Sequence, residues 1–261
     1  MQLLERIERY YDTVPRAAAA VEEVGPFTLF LADGSTGWQF YARPRLGLAD
    51  PVTADDVRRV LARQQELGVP RAIEWVDDTT PSLLPAVRAA LPDAEVALVP
   101  LMVSDDDGPG PQDGTRAPDV PGRCEVLHGD SADLAMAVGA VGAAFGGTDH
   151  AEPADVGARP RLLDAGSLVM VAAYDAQGAV VGGGSAAPRG EVAELMGIAV
   201  LGPARGRGIG TAITSALRAE CRARGVDTVF LTAASDAATS IYRAVGFERV
   251  GTGCILEGLD D

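Results

Sequence analysis

The residue types best suited to chemistry fall in one short stretch, Arg205-Gly206-Arg207-Gly208-Ile209-Gly210-Thr211, between a strand-like run and a helix-like one. Glycines at alternate positions leave backbone N–H groups unobstructed and allow conformations closed to other residues, while a helix N-terminus adds partial positive charge. Arg205 and Arg207 supply charge-assisted donors for phosphate oxygens beside those amides. The stretch therefore reads as an anion site into which a pyrophosphate fits.

Glycine-rich turns from strand to helix serve several nucleotide families, so the rivals have to be met residue by residue. A P-loop needs a Lys before Ser or Thr, and the chain contains no Lys. The dinucleotide fingerprint needs GxGxxG, whereas the spacing is Gly206-x-Gly208-x-Gly210, and the strands ahead of it come in an uninterrupted run rather than as βαβ. In the strand before the loop, alternation predicts one face made of Val192, Glu194, Met196, Ile198 and Val200, which carries a carboxylate either into a cleft or into a core.

Composition narrows the classes. The chain has 261 residues, 47% hydrophobic and 23% charged, as in a soluble globular protein, and its length favours two domains. A formal charge of −15 disfavours nucleic acid and acidic membrane as partners and suits a cationic, amine-bearing one. Cys124, Cys221 and Cys254 are odd in number and widely spaced, and only His128 and His150 are present. A disulfide framework, a metal site and a Ser-His-Asp triad thus all lack support. The opening residues lack the pattern of a signal peptide and no apolar run spans a bilayer, so the expected location is cytoplasmic. Exclusive use of Arg, with abundant Ala, Gly and Asp, resembles the coding bias of a GC-rich bacterial genome.

The elements that must position the loop follow from periodicity. Residues 103–122, dense in Pro, Gly and Asp, read as a linker between domains at 1–102 and 123–261. In the first domain, helices are predicted at 3–11 and 15–24, and strands at 27–32 and 38–42 joined by a turn at 33–37. A helix from Thr53 to 67, a strand at 71–76, a helix at 81–91 and a strand at 95–102 follow. The second domain reads β, α, α, β, β, β, α, β, α, β, with the loop between a strand at 191–200 and a helix at 208–223.

With these elements in place, Arg205, Gly208 and Gly210 satisfy Q/R-x-x-G-x-G/A, and the chain resembles the GNAT superfamily of N-acetyltransferases over residues 124–256. A second block, Asp227 to Gly251, carries the Ile241-Tyr242 pair and Gly246-Phe247 at the family's spacing. The resemblance implies an α/β (α+β) fold with a central mixed, mostly antiparallel sheet flanked by helices. It implies acetyl-coenzyme A as acyl donor, held by the backbone of Ile198, Ala199 and Val200 and by the loop Arg205 to Thr211, Ile209 included. Tyr242 would protonate the departing thiolate, since a phenol keeps its proton at neutral pH and has a pKa near that of a thiol. Glu194, or Glu191, would relieve an ammonium acceptor of its proton. Many members carry Asn seven positions before the tyrosine to order the coenzyme; Ser235 stands there and equally suits a helix N-cap.

The activity so implied is direct acetyl transfer to a primary amine, with no Cys in either motif to serve as a covalent relay. The alternative is a module that binds acyl-coenzyme A without turnover. Residues 1–102 repeat the later half of this element order, with ARPRLGLADPV where the loop would be, so a tandem arrangement with a degenerate, coenzyme-free first copy is expected. The motifs select neither the acceptor nor the oligomeric state.

Overall fold

A computed structural model describes residues 2–32, 41–104 and 123–259, and in it the chain divides into two compact units. The first takes Met1–Leu101 with Val250–Asp261, and the second takes Met102–Arg249. The chain order is α1 (Leu3–Arg16), β1 (Ala19–Val24), β2 (Phe27–Ala32), β3 (Ala42–Pro44), α2 (Ala54–Glu66), β4 (Ile73–Val76), α3 (Leu83–Ala90) and β5 (Ala97–Ser104). There follow β6 (Arg123–Leu127), α4 (Leu134–Phe145), α5 (Arg159–Asp164), β7 (Val169–Tyr174), β8 (Val180–Arg189) and β9 (Val192–Val200). Last come α6 (Ile209–Ala223), β10 (Thr228–Thr232), α7 (Asp236–Ala244) and β11 (Phe247–Leu256). Among the described residues, no helix is long and apolar enough to cross a membrane.

Two expectations for the first unit change. The run expected as a second helix, 15–24, is instead the end of α1, through Pro15, and then strand β1, which pairs antiparallel with β2 from Ala19↔Ala32 to Val24↔Phe27. Gly25, at φ +57°, and Pro26 make the two-residue turn, and pairing to β2 overrides the helical tendency of the alanines. The final residues, kept with the second domain on the sequence, pack in the first unit because Gly253–Leu256 pairs antiparallel with Ile73–Val76 of β4. The turn expected at 33–37 and most of the strand expected at 38–42 lie outside the described residues, as does the linker beyond Ser104; Val103 and Ser104 themselves belong to β5.

In the first unit, β2 and β3 are antiparallel and β3 meets β4 in parallel at Ala42↔Ile73. Phe27, Leu29, Val57, Val60, Ile73, Trp75, Leu83 and Val87 build its core beneath α2 and α3. The α1 side buries a charge beside apolar residues such as Ile7. Buried Arg43 lies 4.0 Å from the centre of the Tyr11 ring and within 3.5 Å of Glu8 and 3.8 Å of Glu74.

In the second unit, β6, β7, β8 and β9 form an antiparallel series to which β10 adds in parallel. Helices α4 and α6 cover opposite faces, as two adjacent glycines of β8 show. A Cβ on Gly183 would approach Val141 of α4, and one on Gly184 would come within 3.0 Å of Ile213 Cγ2 and 3.1 Å of Leu217 Cδ1 of α6. Side chains larger than hydrogen at these positions would push the helices off the sheet.

Candidate functional site

The site grows from the place where β9 and β10 part. They pair at Thr228↔Val192, Val229↔Ala193 and Phe230↔Glu194. Beyond that rung β9 runs on to Val200 with no further pair to β10 among the described residues. The edge of β9 facing β10 there offers N–H and C=O groups that an extended ligand can use as a neighbouring strand would.

A bulge lies in the same stretch. Gly183 faces Ala199 and Ser185 faces Met196, so Gly184 stands opposite both Gly197 and Ile198. Gly197 takes φ +60°, as the first residue of a glycine bulge must. The Ser185 hydroxyl donates to the Met196 carbonyl at 3.2 Å. The extra residue reverses the alternation, which corrects the single face expected on the sequence. Ile198 and Val200 pack with Ala193 and Leu195 in the core on the α6 side, and Ile198 Cγ1 would sit 2.9 Å from a Cβ on Gly184. Glu194 and Met196 keep the α4 face. Glu194 is half-buried on the last rung shared with β10.

After β9 a short 3-10 turn, Gly202–Ala204, leads into the glycine loop. Gly206 and Gly208 have φ +73° and +79°, and Gly208 is the N-cap of α6. A Cβ on Gly206 would meet nothing within 4 Å, so its glycine answers to backbone conformation. The first backbone bond of α6 runs from Ala212 N–H to the Gly208 carbonyl. The N–H groups from Gly206 to Thr211 find no acceptor among the described residues, which leaves a row of donors at a positive helix end.

The Arg205 guanidinium is engaged by the chain itself. Its Nε donates to the Val200 carbonyl at 2.8 Å and its Nη2 to the Ala144 carbonyl at 3.2 Å. Arg207 is exposed and has no partner among the described residues. Ser235 caps α7, its Oγ accepting from Ala238 N–H at 3.2 Å, while its own hydroxyl proton stays available.

Tyr242 lies on α7 with its ring in the core of the second unit, 6.1 Å from the Phe247 ring. Burial pushes its phenol above the ordinary tyrosine value, and its hydroxyl has no hydrogen-bond partner among the described residues. Ile241 beside it reaches towards α6, with Cδ1 3.7 Å from where a Cβ on Gly210 would be. The fold thus brings the motif of α7 against the glycine loop. The bulge and Ser185 were missed on the sequence, although a glycine inside an alternating strand, opposite the run Gly182-Gly183-Gly184, is the signal that marks one.

The first unit holds corresponding elements with a different helix start. β3 and β4 share a parallel rung, but α2 opens with Thr53 and Asp56, whose side chains cap each other's backbone N–H groups at 3.3 and 3.0 Å. A carboxylate of the chain itself occupies that helix end.

Residues 142–247 match the model of the family described as acetyltransferase (GNAT), and the second unit therefore carries a GNAT domain, a class whose general activity is acyl transfer. No curated protein matches the chain. Among solved structures, a GCN5-related N-acetyltransferase from Kribbella flavida has a TM-score of 0.72 at 21% identity, covering 100% of this chain and 97% of that one. A GCN5-related N-acetyltransferase from Sphaerobacter thermophilus gives 0.61 at 17%, covering 98% and 87%. A tandem GNAT protein from the clavulanic acid biosynthesis pathway gives 0.53 at 18%, covering 90% and 79%. At these identities the likeness is one of fold. It extends over the first unit, which is GNAT-like in its own right, as the sequence reading expects.

Proposed function

We propose that the second unit moves an acetyl group from acetyl-coenzyme A to a primary amine by direct attack. The observation that carries this reading is the coincidence, within one stretch of chain, of the edge of β9 after Glu194 and the amide row at the start of α6, both without partners among the described residues. The first suits an extended pantetheine arm with its alternating amides, and the second suits a diphosphate. The bound donor would supply a thioester, and the residues of the chain supply placement and proton handling.

Glu194, on the rung where the strands part, is placed to take a proton from an ammonium acceptor, directly or through water, so that the neutral amine attacks the thioester carbon. The carbon–sulfur bond breaks and the electron pair leaves with sulfur. Tyr242, whose phenol burial keeps protonated and whose hydroxyl has no competing partner among the described residues, gives a proton to that sulfur, and the proton that the attacking nitrogen sheds as the amide forms restores the phenol. The three cysteines play no part: burial raises the thiols of Cys221 to about 11 and Cys254 to about 12 and pushes that of Cys124 up, which withholds the thiolate a covalent relay needs.

A thermal-shift titration with acetyl-coenzyme A tests the donor site, because a ligand that binds only the folded state raises its apparent stability. Stabilisation by acetyl-coenzyme A, followed by thiol release on addition of amines, is the expected outcome. Stabilisation without thiol release across a broad amine panel would favour a binding module, and absence of both would remove the reading.

A further inference from the structure

We infer that Arg205 is a positioning residue that ties the end of α4 to the end of β9, and that it is not a ligand of the donor's phosphates. The inference rests on the reading of the glycine loop as the donor site. Nε and Nη2 share one edge of the planar guanidinium, the fork that grips a phosphate side-on, and here that edge is filled by the carbonyls of Val200 and Ala144. Val200 is the last residue of β9 and Ala144 is the penultimate residue of α4.

The Ala144 carbonyl is one of the acceptors a helix C-terminus leaves without an internal donor. Its neighbours are served locally, Gly142 by Gly146 N–H at 2.9 Å and Ala143 by Thr148 N–H at 2.9 Å. Arg205 serves Ala144 from 61 residues away and brings a cation to the negative end of the helix. A second contact crosses the same seam, since the Asp149 carboxylate lies where a Cβ on Gly202 would have to go. The opening of the donor loop and the segment 144–149 are therefore held as one piece. That leaves Arg207 as the cation that faces an incoming anion. A lysine at 205 keeps the charge but cannot span two carbonyls in a fixed plane.

The test compares Arg205→Lys, Arg205→Ala and Arg207→Ala with the parent in the full chain. In the first arm, amide hydrogen exchange of the unliganded proteins is followed over residues 141–149 and 200–209. Both Arg205 variants are expected to exchange faster in both segments, and Arg207→Ala in neither. In the second arm, Kd for acetyl-coenzyme A is measured against salt concentration. Arg205→Lys is expected to weaken binding about tenfold or more with the parent's salt dependence, whereas Arg207→Ala flattens that dependence. Parent-like exchange in Arg205→Lys, or a flattened salt dependence in Arg205→Ala, would overturn the tether. A parent that binds no acetyl-coenzyme A would remove the donor-site reading alone, and the exchange arm would still decide the tether.

Discussion

Glu194 and Phe230 face each other across the last rung that joins β9 to β10, and the open stretch of β9 and the glycine loop lie past that rung. Below it the two strands are ordinary parallel neighbours in a buried sheet. Above it they separate, and the backbone of β9 becomes a surface that a ligand can pair with. If Glu194 supplies the base at this junction, Glu194→Gln keeps its shape and one acceptor oxygen while removing its proton affinity. We expect kcat to fall on the order of 10²-fold, most at the lowest pH where the parent is active, with KM for the acyl donor little changed. A parent-like pH profile in the variant would assign the base elsewhere, with Glu191 the first to try.

Tyr242→Phe removes only the hydroxyl that has no partner among the described residues, so the core around Phe247 stays filled and stability changes little. Turnover should drop on the order of 10²-fold or more if the phenol is the acid. The direction of the pKa shift adds a second check. The folded pKa is raised above the ordinary value of about 10, so the neutral phenol is favoured in the fold. The associated stability is whole below about pH 10 and is lost as pH rises through the higher folded value. The parent should therefore lose both activity and stability above about pH 10, and the Phe variant should lack that component of the stability loss. Denaturation midpoints measured from pH 8 to 11 in both proteins decide it.

Gly197→Val places a branched side chain at φ +60° in the bulge, beside Val141 and Ser185. The strain is worth roughly 1–3 kcal/mol. The larger consequence is for function, because a chain that removes the bulge to relieve the strain shifts Ile198 to Val200 by one residue and turns the N–H groups of Ile198 and Val200 away from the gap. Acetyl-coenzyme A binding should then be lost while a folded protein remains. Calorimetric titration beside a denaturant melt separates the two effects.

These expectations mark how far the sequence carries. The glycine loop and the strand before it could be read directly because their signals are local: turn residues, a strand end and a helix start within a few positions of one another. The far partners could not. Nothing near Arg205 announces that its guanidinium meets the carbonyl of Ala144, and nothing near Ala19 announces that its run pairs with β2. Alternation along β9 failed for a definite reason, since one inserted residue reverses every side chain after it. Ser235 carries two expected roles; the N-cap is the one present in the fold, and it leaves the hydroxyl proton available for the other.

The first unit provides a test of its polar interior. Arg43 is 4% exposed, and its side chain lies between Glu8 and Glu74 at distances longer than a tight ion pair, with the Tyr11 ring packed on it. Desolvation raises the pKa of the Glu74 carboxyl, with the Arg43 charge opposing it. Arg43→Ala leaves two carboxylates without their cation and opens a void beneath α1. It should destabilise the protein by about 3 kcal/mol, and Glu8→Gln with Glu74→Gln added should recover part of that loss. A triple variant as unstable as the single one would mean that Arg43 acts through packing on Tyr11 rather than through charge.

Two GNAT-like units raise the question of how many donors one chain can hold, and α2 answers it through its own cap. At the start of α6 six successive N–H groups, from Gly206 to Thr211, have no acceptor among the described residues, and Gly206 and Gly208 take positive φ. The start of α2 has Thr53 and Asp56 bonded to each other's backbone, with Asp55 also in the first turn. The helix dipole that favours a diphosphate at α6 is already neutralised at α2, and an added phosphate would meet two carboxylates. Calorimetric titration should therefore give one acetyl-coenzyme A per chain, abolished by Gly208→Glu and unaffected by Thr53→Ala. The Thr53 variant should lose about 1 kcal/mol of stability instead. A second binding equivalent that survives Gly208→Glu would mean that the first unit binds the donor by a route that does not use its helix end.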